Sequence, residues 1–441
     1  MKLYVDALNG DDAADGRSEA TAWQSLAKLN STELRGGEQI NLARDSVWTE
    51  QLKPLAARTR SSRIEILPYG SGNKPIIDGV GSDAAILLHN IDRITVRGLG
   101  VRNIGPSGNS PRSGILLTLS DFGTARDIEI IDNEIEQVNG SLQRFNGLNA
   151  GIAYYNKSGT SRVSAFAGLK IRKNKIIGTD RDGIKGRSDY WQRNNWYPNT
   201  GVEISDNYLE DIAGDGIVTY GCIGAVIERN RINGARTRVV DETAVGIWPW
   251  SCDDTIVRFN EVSGVTGQLD GQPIDADYNC INTIFEDNYT HDNDGGFILI
   301  TNAYLPNDEN VGNQSAIFRR NISVNDGIPN NVDGKGSSII LSGQIDGASI
   351  IDNIIYRDTN EAIHIVFVWG TEEIGRATNV RVSDNTIIFN DANIGQYDTA
   401  RANSVVIEDN NYVYASDPNR ATALQLMNTQ IELIQALVAS N

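Results

Sequence analysis

The segments CIGAVIERN (222–230), CDDTIVRFN (252–260) and CINTIFEDN (280–288) repeat one pattern, a cysteine followed eight residues later by an asparagine. Equal offsets in successive units are typical of repeat architectures, in which like residues stack above one another. The three cysteines are therefore predicted to form a column of small buried thiols rather than disulfides. An aromatic residue stands two positions before each cysteine, at Tyr220, Trp250 and Tyr278.

The asparagine recurs through most of the chain at intervals of 23 to 41 residues. A large apolar side chain stands three positions before each one, and another usually stands two positions after it. Short alternating strands without room for a helix in every unit exclude a βαβ sheet and most helical repeats. A β-sandwich would not keep one residue type in phase over so many units. The ladder positions are Asn133, Asn174, Asn207, Asn230, Asn260, Asn288, Asn321, Asn353, Asn385 and Asn410.

The sequence thus predicts an all-β fold, a single-stranded parallel β-helix of about 10–12 coils in which asparagine side chains form a ladder at one bend. Residues 1–61 are predicted to be an N-terminal cap, with a strand at 3–7 and a helix at 21–29 that starts at Thr21. Residues 62–420 form the predicted β-helix, and residues 421–441 a C-terminal capping helix. The acidic loop GDDAAD (10–15) lacks the ligand spacing of an EF-hand and is predicted to be a polar turn.

Composition limits the classes of function. The formal charge of −18 argues against a nucleic-acid partner, because phosphate binding needs a basic face. No apolar run is long enough to cross a membrane. The chain is interpreted as a secreted or periplasmic protein whose signal peptide has been removed, with a virion tailspike or a cytoplasmic protein as alternatives. It is expected to be a monomer or a homotrimer.

The asparagine ladder and the N-terminal stretches YVDALNGDD (4–12) and DGRSEATAWQSLAKLN (15–30) resemble right-handed parallel β-helix proteins of the pectate-lyase-like superfamily. That resemblance implies a carbohydrate-active protein. The central segments 246–262 and 270–297 are also distantly similar to β-helix glycosidases of the β-xylosidase type. There the nucleophilic aspartate lies on a strand that corresponds to IDAD (274–277), which implies Asp275 or Asp277. The family's acid/base glutamate would fall near Leu299, where this chain has no acid.

The central units also carry most of the candidate catalytic groups. Neighbouring rungs of a parallel stack are about 4.8 Å apart, so acids on adjacent rungs can stand at the separations that glycosidases use. Asp275 or Asp277 is the predicted nucleophile or base, and Glu242 the predicted proton donor, with Asp241 and Asp215 in support. Counting from the ladder asparagine aligns the two IDAD aspartates with Ile247 and Pro249 unless a bulge intervenes, so one of the two is expected to point outward.

Aromatic and basic residues complete the candidate substrate site. Trp248, Trp250 and Tyr278 could offer flat surfaces to sugar rings, and a loop at 187–200 with Trp191 is predicted to line a wall beside them. A lyase would instead need a base and a cation that neutralises a uronate carboxylate. The candidates for that chemistry are Lys185, Arg187, His291, Lys335, Arg181, Arg236 and Arg238.

Three functions follow from these residues. The first is a glycoside hydrolase that cleaves a polysaccharide or oligosaccharide with two carboxylates and no cofactor. The second is a polysaccharide lyase, or a uronate epimerase, with calcium as an alternative aid to charge neutralisation. The third is a non-catalytic glycan-binding or tailspike protein. No cysteine and histidine spacing of the zinc type occurs, so no metal site is predicted.

Overall fold

The computed structural model describes residues 1–57, 61–106, 110–144, 147–239, 241–267, 269–303, 307–328, 336–358, 364–369, 375–390 and 396–439. The chain divides into two compact units. Unit 1 comprises Met1–Tyr190 and Asn199–Ala213, and unit 2 comprises Trp191–Pro198 and Gly214–Asn441.

Unit 1 contains three stacks of parallel strands, and the chain visits them in turn. Sheet 1a consists of Lys2–Val5, Gln39–Ala43, Ile64–Tyr69, Ile94–Arg97, Thr124–Ile131, Ala165–Arg172 and Glu203–Ser205, with Asn199–Thr200 beside Ala165–Arg172. Sheet 2a consists of Val47–Trp48, Ile76–Asp78, Gly100–Asn103, Glu134–Val138, Lys175–Thr179 and Tyr208–Ile212. Sheet 3a consists of Ala84–His89, Ser113–Leu119, Ala150–Asn156 and Asp182–Ser188. Glu33–Leu34 pairs separately with Leu55–Ala56.

Unit 2 has the same three-sided organisation. Sheet 1b consists of Val226–Glu228, Ile256–Arg258, Ile284–Glu286, Ile317–Arg319, Ser349–Ile351, Val380–Ser383 and Val405–Glu408. Sheet 2b consists of Arg231–Asn233, Glu261–Ser263, Tyr289–His291, Ile322–Val324, Ile354–Arg357, Thr386–Phe389 and Asn411–Val413. Sheet 3b consists of Ile217–Tyr220, Ile247–Trp250, Ile274–Ala276, Ile298–Asn302, Ile339–Gly343, His364–Trp369 and Gln396–Asp398. Short strands at the bends are Cys222–Ile223, Asn313–Gln314, Ile345–Asp346 and Ala377–Thr378.

Each strand thus pairs in parallel with its equivalent one turn of chain away, which is the predicted parallel β-helix. Parallel strands joined by crossovers within one sheet are right-handed in nearly all proteins. The strands of residues 1–57 already belong to this stack, because Lys2–Val5 pairs with Gln39–Ala43, which pairs with Ile64–Tyr69. The β-helix therefore begins well before residue 62.

The asparagine ladder is confirmed at atomic level. The side-chain oxygen of Asn288 accepts hydrogen bonds from the backbone N–H of Asn260 at 3.0 Å and from its Nδ2 at 2.9 Å. Asn288 donates in turn from its backbone N–H and Nδ2 to the side-chain oxygen of Asn321. The same pattern links Asn321, Asn353, Asn385 and Asn410. Ladder bonds of this kind satisfy buried polar groups that a tight bend would otherwise leave unpaired.

The interior is filled by the apolar residues that flank the asparagines. The side chains three positions before each ladder residue are fully buried except at the last, Ile407, which is half-buried. Phe285 and Phe318 stack inside unit 2 with ring centroids 4.5 Å apart. The three cysteines are fully buried and none of them is in a disulfide, and the backbone N–H of Cys252 lies 3.4 Å from the sulfur of Cys280. The predicted column of thiols is therefore confirmed.

The N-terminal helical segment differs from its prediction. A 3-10 helix covers Glu19–Thr21, and helix α1 spans only Leu26–Asn30. Its N-cap is Ser25, whose Oγ accepts from the N–H of Lys28, rather than Thr21. The reason is Asp12, which accepts hydrogen bonds from the N–H groups of Gln24 and Ser25 and so holds these residues extended. The acidic loop is thus a polar turn, with its carboxylates engaged by backbone donors.

Helix α2, Arg420–Ala439, forms where a C-terminal helix was predicted but does not cover an end. It packs along the outward face of sheet 2b, where Met427, Ile434 and Val438 cover a row of apolar strand residues. That row, which strand alternation would otherwise expose to water, comprises Tyr289, Ile322, Ile354, Ile388 and Val413. Among the described residues, no helix combines the length and apolar character that a membrane crossing requires.

Candidate active site

Strand Ile274–Ala276 decides which way the candidate aspartates point. Ile274 pairs with Ile247 on one side, and Asp275 pairs with Leu299 on the other. Because Ile274 and Ile247 are fully buried in the interior and strand residues alternate, Asp275 projects from the outward face of sheet 3b. It is only 2% exposed there, and it lies level with Trp248 on the preceding rung. Leu299, the position at which the resemblance places an acid/base glutamate, is thus the residue beside Asp275 on the next rung.

Asp277 forms a bulge directly after that strand. The turn from Ile274 to Cys280 is one residue longer than the preceding turn from Ile247 to Cys252. Pairing ends at Ala276, and Tyr278 again stacks on Trp250, so the additional residue is Asp277. Its Oδ1 accepts from the N–H of Tyr278 at 2.6 Å, and its side chain is half-buried. Because of this bulge, Ile274 pairs with Ile247, whereas counting back from the ladder asparagine aligns Asp275 with Ile247. Asp277 is the more accessible of the two aspartates.

Asp215 is fully buried and bound to the neighbouring rung. Its Oδ1 accepts hydrogen bonds from the indole Nε1 of Trp248 at 2.9 Å and from the N–H of Val245 at 3.0 Å. Trp248 is itself 3% exposed and packs with Val218 and Val245. The ring of Trp248 therefore presents almost no surface to solvent, whereas the sequence analysis expected it to offer a flat surface to a sugar.

Aromatic side chains form a continuous column on the outward face of sheet 3b. Tyr220 and Trp250 stack at 5.8 Å, and Trp250 and Tyr278 stack at 4.6 Å. Trp191 meets Trp250 and Tyr278 edge-on at 6.1 and 5.9 Å. Trp191 and Trp250 remain half-exposed, whereas Tyr278 is 8% exposed. These rings therefore bury much of their surface against one another, and Trp191 and Trp250 keep the larger accessible fractions.

Arg193 fixes the loop that carries Trp191, and sequence reasoning missed it. Its guanidinium makes two hydrogen bonds to Asp253, at 2.9 and 2.7 Å, and two to the side-chain and backbone oxygens of Asn279. The guanidinium also lies 4.4 Å from the ring of Trp196. A forked cation with several oxygen partners holds a loop more firmly than a lysine could. The predicted wall beside the aromatic column is thus present in unit 2. Arg193 anchors it together with Ser251 and Asn279, which donate to the backbone oxygen of Trp191.

Arg193→Ala is expected to release this loop. Hydrogen bonds to charged groups contribute about 1.5–3 kcal/mol each, so the anchoring of this loop should be much weaker while the β-helix stays folded. Trp191 should become more accessible, which acrylamide quenching of tryptophan fluorescence measures. Arg258→Ala is a suitable control, since Arg258 pairs with Glu228 on sheet 1b and touches none of these rings. Equal quenching in both variants would contradict the anchoring role.

The segment with Asp241 and Glu242 precedes strand Ile247–Trp250 of sheet 3b. Arg236, which is 4% exposed, donates twice to the backbone oxygen of Glu242 and once to that of Thr266. The Glu242 side chain is half-buried, and Asp241 is exposed. A parallel bridge from Ala244 brings Asp270 alongside, a carboxylate that the sequence analysis passed over. The only signal that could have singled it out is its place before Gly271 in the same turn as the IDAD aspartates.

The basic candidates are placed elsewhere. In unit 1, Lys185 Nζ and Arg181 Nη1 lie 3.3 and 3.7 Å from the two oxygens of the buried Asp182, so the charge of Lys185 is already matched. Arg187 lies on the same strand. Arg236 donates its hydrogen bonds to the backbone oxygens of Glu242 and Thr266. Arg238 belongs to the half-buried segment after it, and Lys335 lies outside the described residues.

His291 lies on sheet 2b, away from the acids of sheet 3b. Its Nδ1 is 2.7 Å from Asp292, its Nε2 is 3.4 Å from Glu261, and its ring stacks on Tyr289 at 4.6 Å. Gln435 of helix α2 donates to the same Glu261 oxygen. His291 is therefore part of the junction that holds helix α2 and not of the carboxylate group.

This junction predicts a pH dependence. Burial alone would lower the pKa of His291, but the hydrogen bonds to Glu261 and Asp292 outweigh it and raise the pKa above its usual value. Protonated His291 thus contributes to the free energy of unfolding. This contribution is fully present below the pKa of the unfolded state, near 6.5, and is lost as the pH rises through the pKa of the folded state. It should amount to less than about 1 kcal/mol because solvent screens the pair.

The measurement is thermal unfolding at pH values from about 5 to about 9, a range that includes the usual pKa of histidine. His291→Gln should flatten the loss of stability on the alkaline side. His89→Gln should act on the acidic side instead, because burial and then the charges of Lys157 and Lys53 lower the pKa of His89. Identical profiles for both variants would refute the assignment.

Within the described residues, no group of three or more histidine, cysteine, aspartate or glutamate side chains is arranged to hold a metal ion. The arrangement that remains is a set of carboxylates beside an aromatic column. Two of these carboxylates, Asp275 and Asp215, are buried, and two, Asp277 and Glu242, are half-buried.

Comparisons with known proteins agree with this fold. No protein-family model matches the chain. The chain is 25% identical to lacto-N-biosidase of Bifidobacterium longum subsp. longum over 94% of its own length and 31% of that protein. It thus spans about a third of the curated relative it matches.

Two solved structures show the same architecture. A GH136 lacto-N-biosidase from Eubacterium ramulus superposes with a TM-score of 0.69 at 23% identity, covering 94% of this chain and 68% of that one. DFA-IIIase from Arthrobacter chlorophenolicus A6 in complex with DFA-III gives a TM-score of 0.50 at 12% identity, covering 94% and 95%. The chain therefore has the parallel β-helix fold that its asparagine ladder predicted.

Proposed function

We propose that the chain is a glycoside hydrolase that acts on oligosaccharides. The observation that carries the proposal is the 25% identity to a lacto-N-biosidase over 94% of the chain, because it spans the segment that holds the candidate carboxylates. The geometry is compatible, since acids and aromatic rings share the outward face of sheet 3b. Aromatic surface beside paired carboxylates is what sugar binding and glycosidic cleavage require.

The four carboxylates differ in access, which suggests separate roles. A group that attacks or protonates the sugar must reach it, so we assign that task to Asp277 and Glu242, the half-buried pair. Asp275 and Asp215 are buried and would act as positioning residues. Asp215 holds the indole of Trp248, which lies level with Asp275. Asp241, which is exposed, would lend charge to the Glu242 segment.

Trp191 and Trp250 are the residues proposed to contact the sugar. Both are half-exposed, and Trp191 meets Trp250 edge-on from the side of the aromatic column. Tyr278 and Trp248 would act from beneath by fixing the position of Trp250. The same proposal implies a secreted or periplasmic protein that works as a monomer or homotrimer.

The test is product analysis with lacto-N-biosidase substrates and with a panel of other neutral oligosaccharides and uronate polymers. A hydrolase releases new reducing ends without ultraviolet absorption, and this is the expected result. Products with an unsaturated, absorbing end would establish the lyase alternative. Tight binding with no new products would establish a glycan-binding protein.

The lyase alternative is the weaker of the two because of Lys185. A lyase base must be free to accept a proton, whereas this ammonium group lies against the carboxylate of Asp182. Two further basic candidates, both in unit 2, are also engaged, Arg236 with backbone oxygens and His291 with Glu261 and Asp292.

A further inference from the structure

The outward face of sheet 3a carries a group of cations that the proposed hydrolysis does not use. Tyr154 and Ile184 are fully buried in the interior of unit 1, so by alternation Tyr155 and Arg187 project outward. Their strands pair in register, and Thr118 and His89 continue the same row. Lys157 follows two positions after Tyr155 and completes this edge.

Tyr155 organises two of these cations. The Arg187 guanidinium lies 5.0 Å from the centre of its ring, and the Lys157 ammonium lies 5.3 Å from it. Attraction to an aromatic ring holds a cation in place without neutralising its charge. The tyrosine hydroxyl donates to Asp189 at 2.6 Å, which fixes the ring.

Lys53 approaches the same row from the turn before Ala84–His89. Leu52 forms a parallel bridge with Ile86, so Lys53 stands at the next, outward position. Burial first, and then the charges of Lys157 and Lys53, lower the pKa of His89, so both ammonium groups act on that imidazole. We call Lys53, His89, Lys157 and Arg187 the basic face.

The charges of the basic face are not matched by carboxylates. Over the part of the chain that the structure describes, Lys53, Lys157 and Arg187 form no ion pair with an acid. A nearby carboxylate, that of Asp189, is occupied by Tyr155 and by the N–H and hydroxyl of Ser158. In a protein of formal charge −18, cations gathered without acidic partners repel one another and attract an anion.

The loop after Lys157 extends this chemistry. It also carries Arg162, which together with Arg126 lines an open groove of about 660 Å³ in unit 1. Two acids also line this groove. Asp121 accepts from the N–H groups of Ser161 and Arg162 and so serves to hold the loop, and Asp92 pairs with Arg93 at 2.6 Å. Neither arginine pairs with a carboxylate among the described residues. The ligand would therefore be long enough to present more than one negative group.

We infer that unit 1 binds an acidic glycan, an oligosaccharide with carboxylate or sulfate groups, through Lys157 and Arg187 beside Tyr155 and through Lys53. Guanidinium and ammonium groups pair with carboxylate and sulfate oxygens by charge-assisted hydrogen bonds. Thr118, 5% exposed beside His89, supplies a hydroxyl for the neutral part of the sugar. This binding site does not depend on the hydrolase function.

Calorimetric titration of the whole chain tests the inference with four probes of matched length. These are a uronate hexasaccharide, a sulfated hexasaccharide, a neutral hexasaccharide and inorganic polyphosphate. Binding of either acidic sugar, weakened by added salt and absent for the neutral one, is expected, and the two acidic probes tell carboxylate from sulfate recognition. Polyphosphate binding as tight as that of the sugars would overturn the assignment to a glycan, and no acidic probe binding would overturn the site.

Variants locate the site. The double substitution Lys157→Gln and Arg187→Gln should weaken acidic-sugar binding by at least about tenfold, because it removes two charged donors. Lys175→Gln is the matched control, since Lys175 is an exposed lysine of unit 1 that lies 3.9 Å from Glu136. Thermal unfolding of each variant checks that the β-helix is intact. Equal affinity in the double variant and the control would overturn the inference.

Discussion

Replacing Asp277 with asparagine is expected to lower oligosaccharide hydrolysis by about 10²- to 10⁴-fold, the range that a positioned acid or base contributes. Asparagine has nearly the same shape and keeps an oxygen for the N–H of Tyr278, which Asp277 binds at 2.6 Å. It cannot attack a sugar or exchange a proton at neutral pH. The loss should therefore appear in kcat, with little change in KM or in thermal unfolding.

Two further substitutions make this result decisive. Asp275→Asn alters a buried positioning residue and should reduce kcat less than Asp277→Asn does. Asp254→Asn is the control, because Asp254 is an exposed aspartate whose Oδ1 binds Asn282 at 3.0 Å. It should leave kcat unchanged. Full activity in Asp277→Asn would remove that residue from the mechanism, and a larger loss in Asp275→Asn would exchange the two roles.

Most of the fold could be predicted because one local rule fixes it. Each turn of chain places one asparagine at the bend, and its amide bonds only to the next asparagine and to nearby backbone. A rule that repeats along the chain is visible in sequence spacing alone. The apolar residues three positions before and two after the asparagine follow the same rule, and nearly all of them are buried.

The spacing of residues predicts that one of the two IDAD aspartates points outward, but it does not show which one. The turn after Ile274 has one additional residue, and a single insertion moves every later side chain to the other face of a strand. Only pairing shows where the insertion sits. Since Asp275 pairs with Leu299 and pairing ends at Ala276, the bulge falls on Asp277.

Contacts between distant segments could not be predicted at all. Arg193 binds Asp253 and Asn279, which are 60 and 86 residues away, and no periodicity links them. Helix α2 was predicted from its own pattern, but its place was not. Its partners on sheet 2b include Tyr289 and Ile322, which stand directly after ladder asparagines and do not differ in spacing from strand residues that face water.

Asn288→Ala is expected to destabilise the β-helix by about 3 kcal/mol or more. The side chain of Asn288 is fully buried and takes part in four hydrogen bonds. Its loss leaves two donors of Asn260, the backbone oxygen of Val257 and the side-chain oxygen of Asn321 without this partner. Each buried polar group left unsatisfied costs about 1–3 kcal/mol, and the neighbours share part of the loss.

The end of the ladder provides the matched control for this prediction. Asn410 accepts the same two bonds from Asn385 and donates to Val382, but it is half-buried. Water can replace the lost amide there, so Asn410→Ala should cost no more than about 1 kcal/mol. Urea unfolding followed by circular dichroism measures both free energies. A central ladder asparagine stabilises the fold through buried hydrogen bonds to the turns on both sides. Equal losses of unfolding free energy in Asn288→Ala and Asn410→Ala would therefore show that apolar stacking alone holds the turns together.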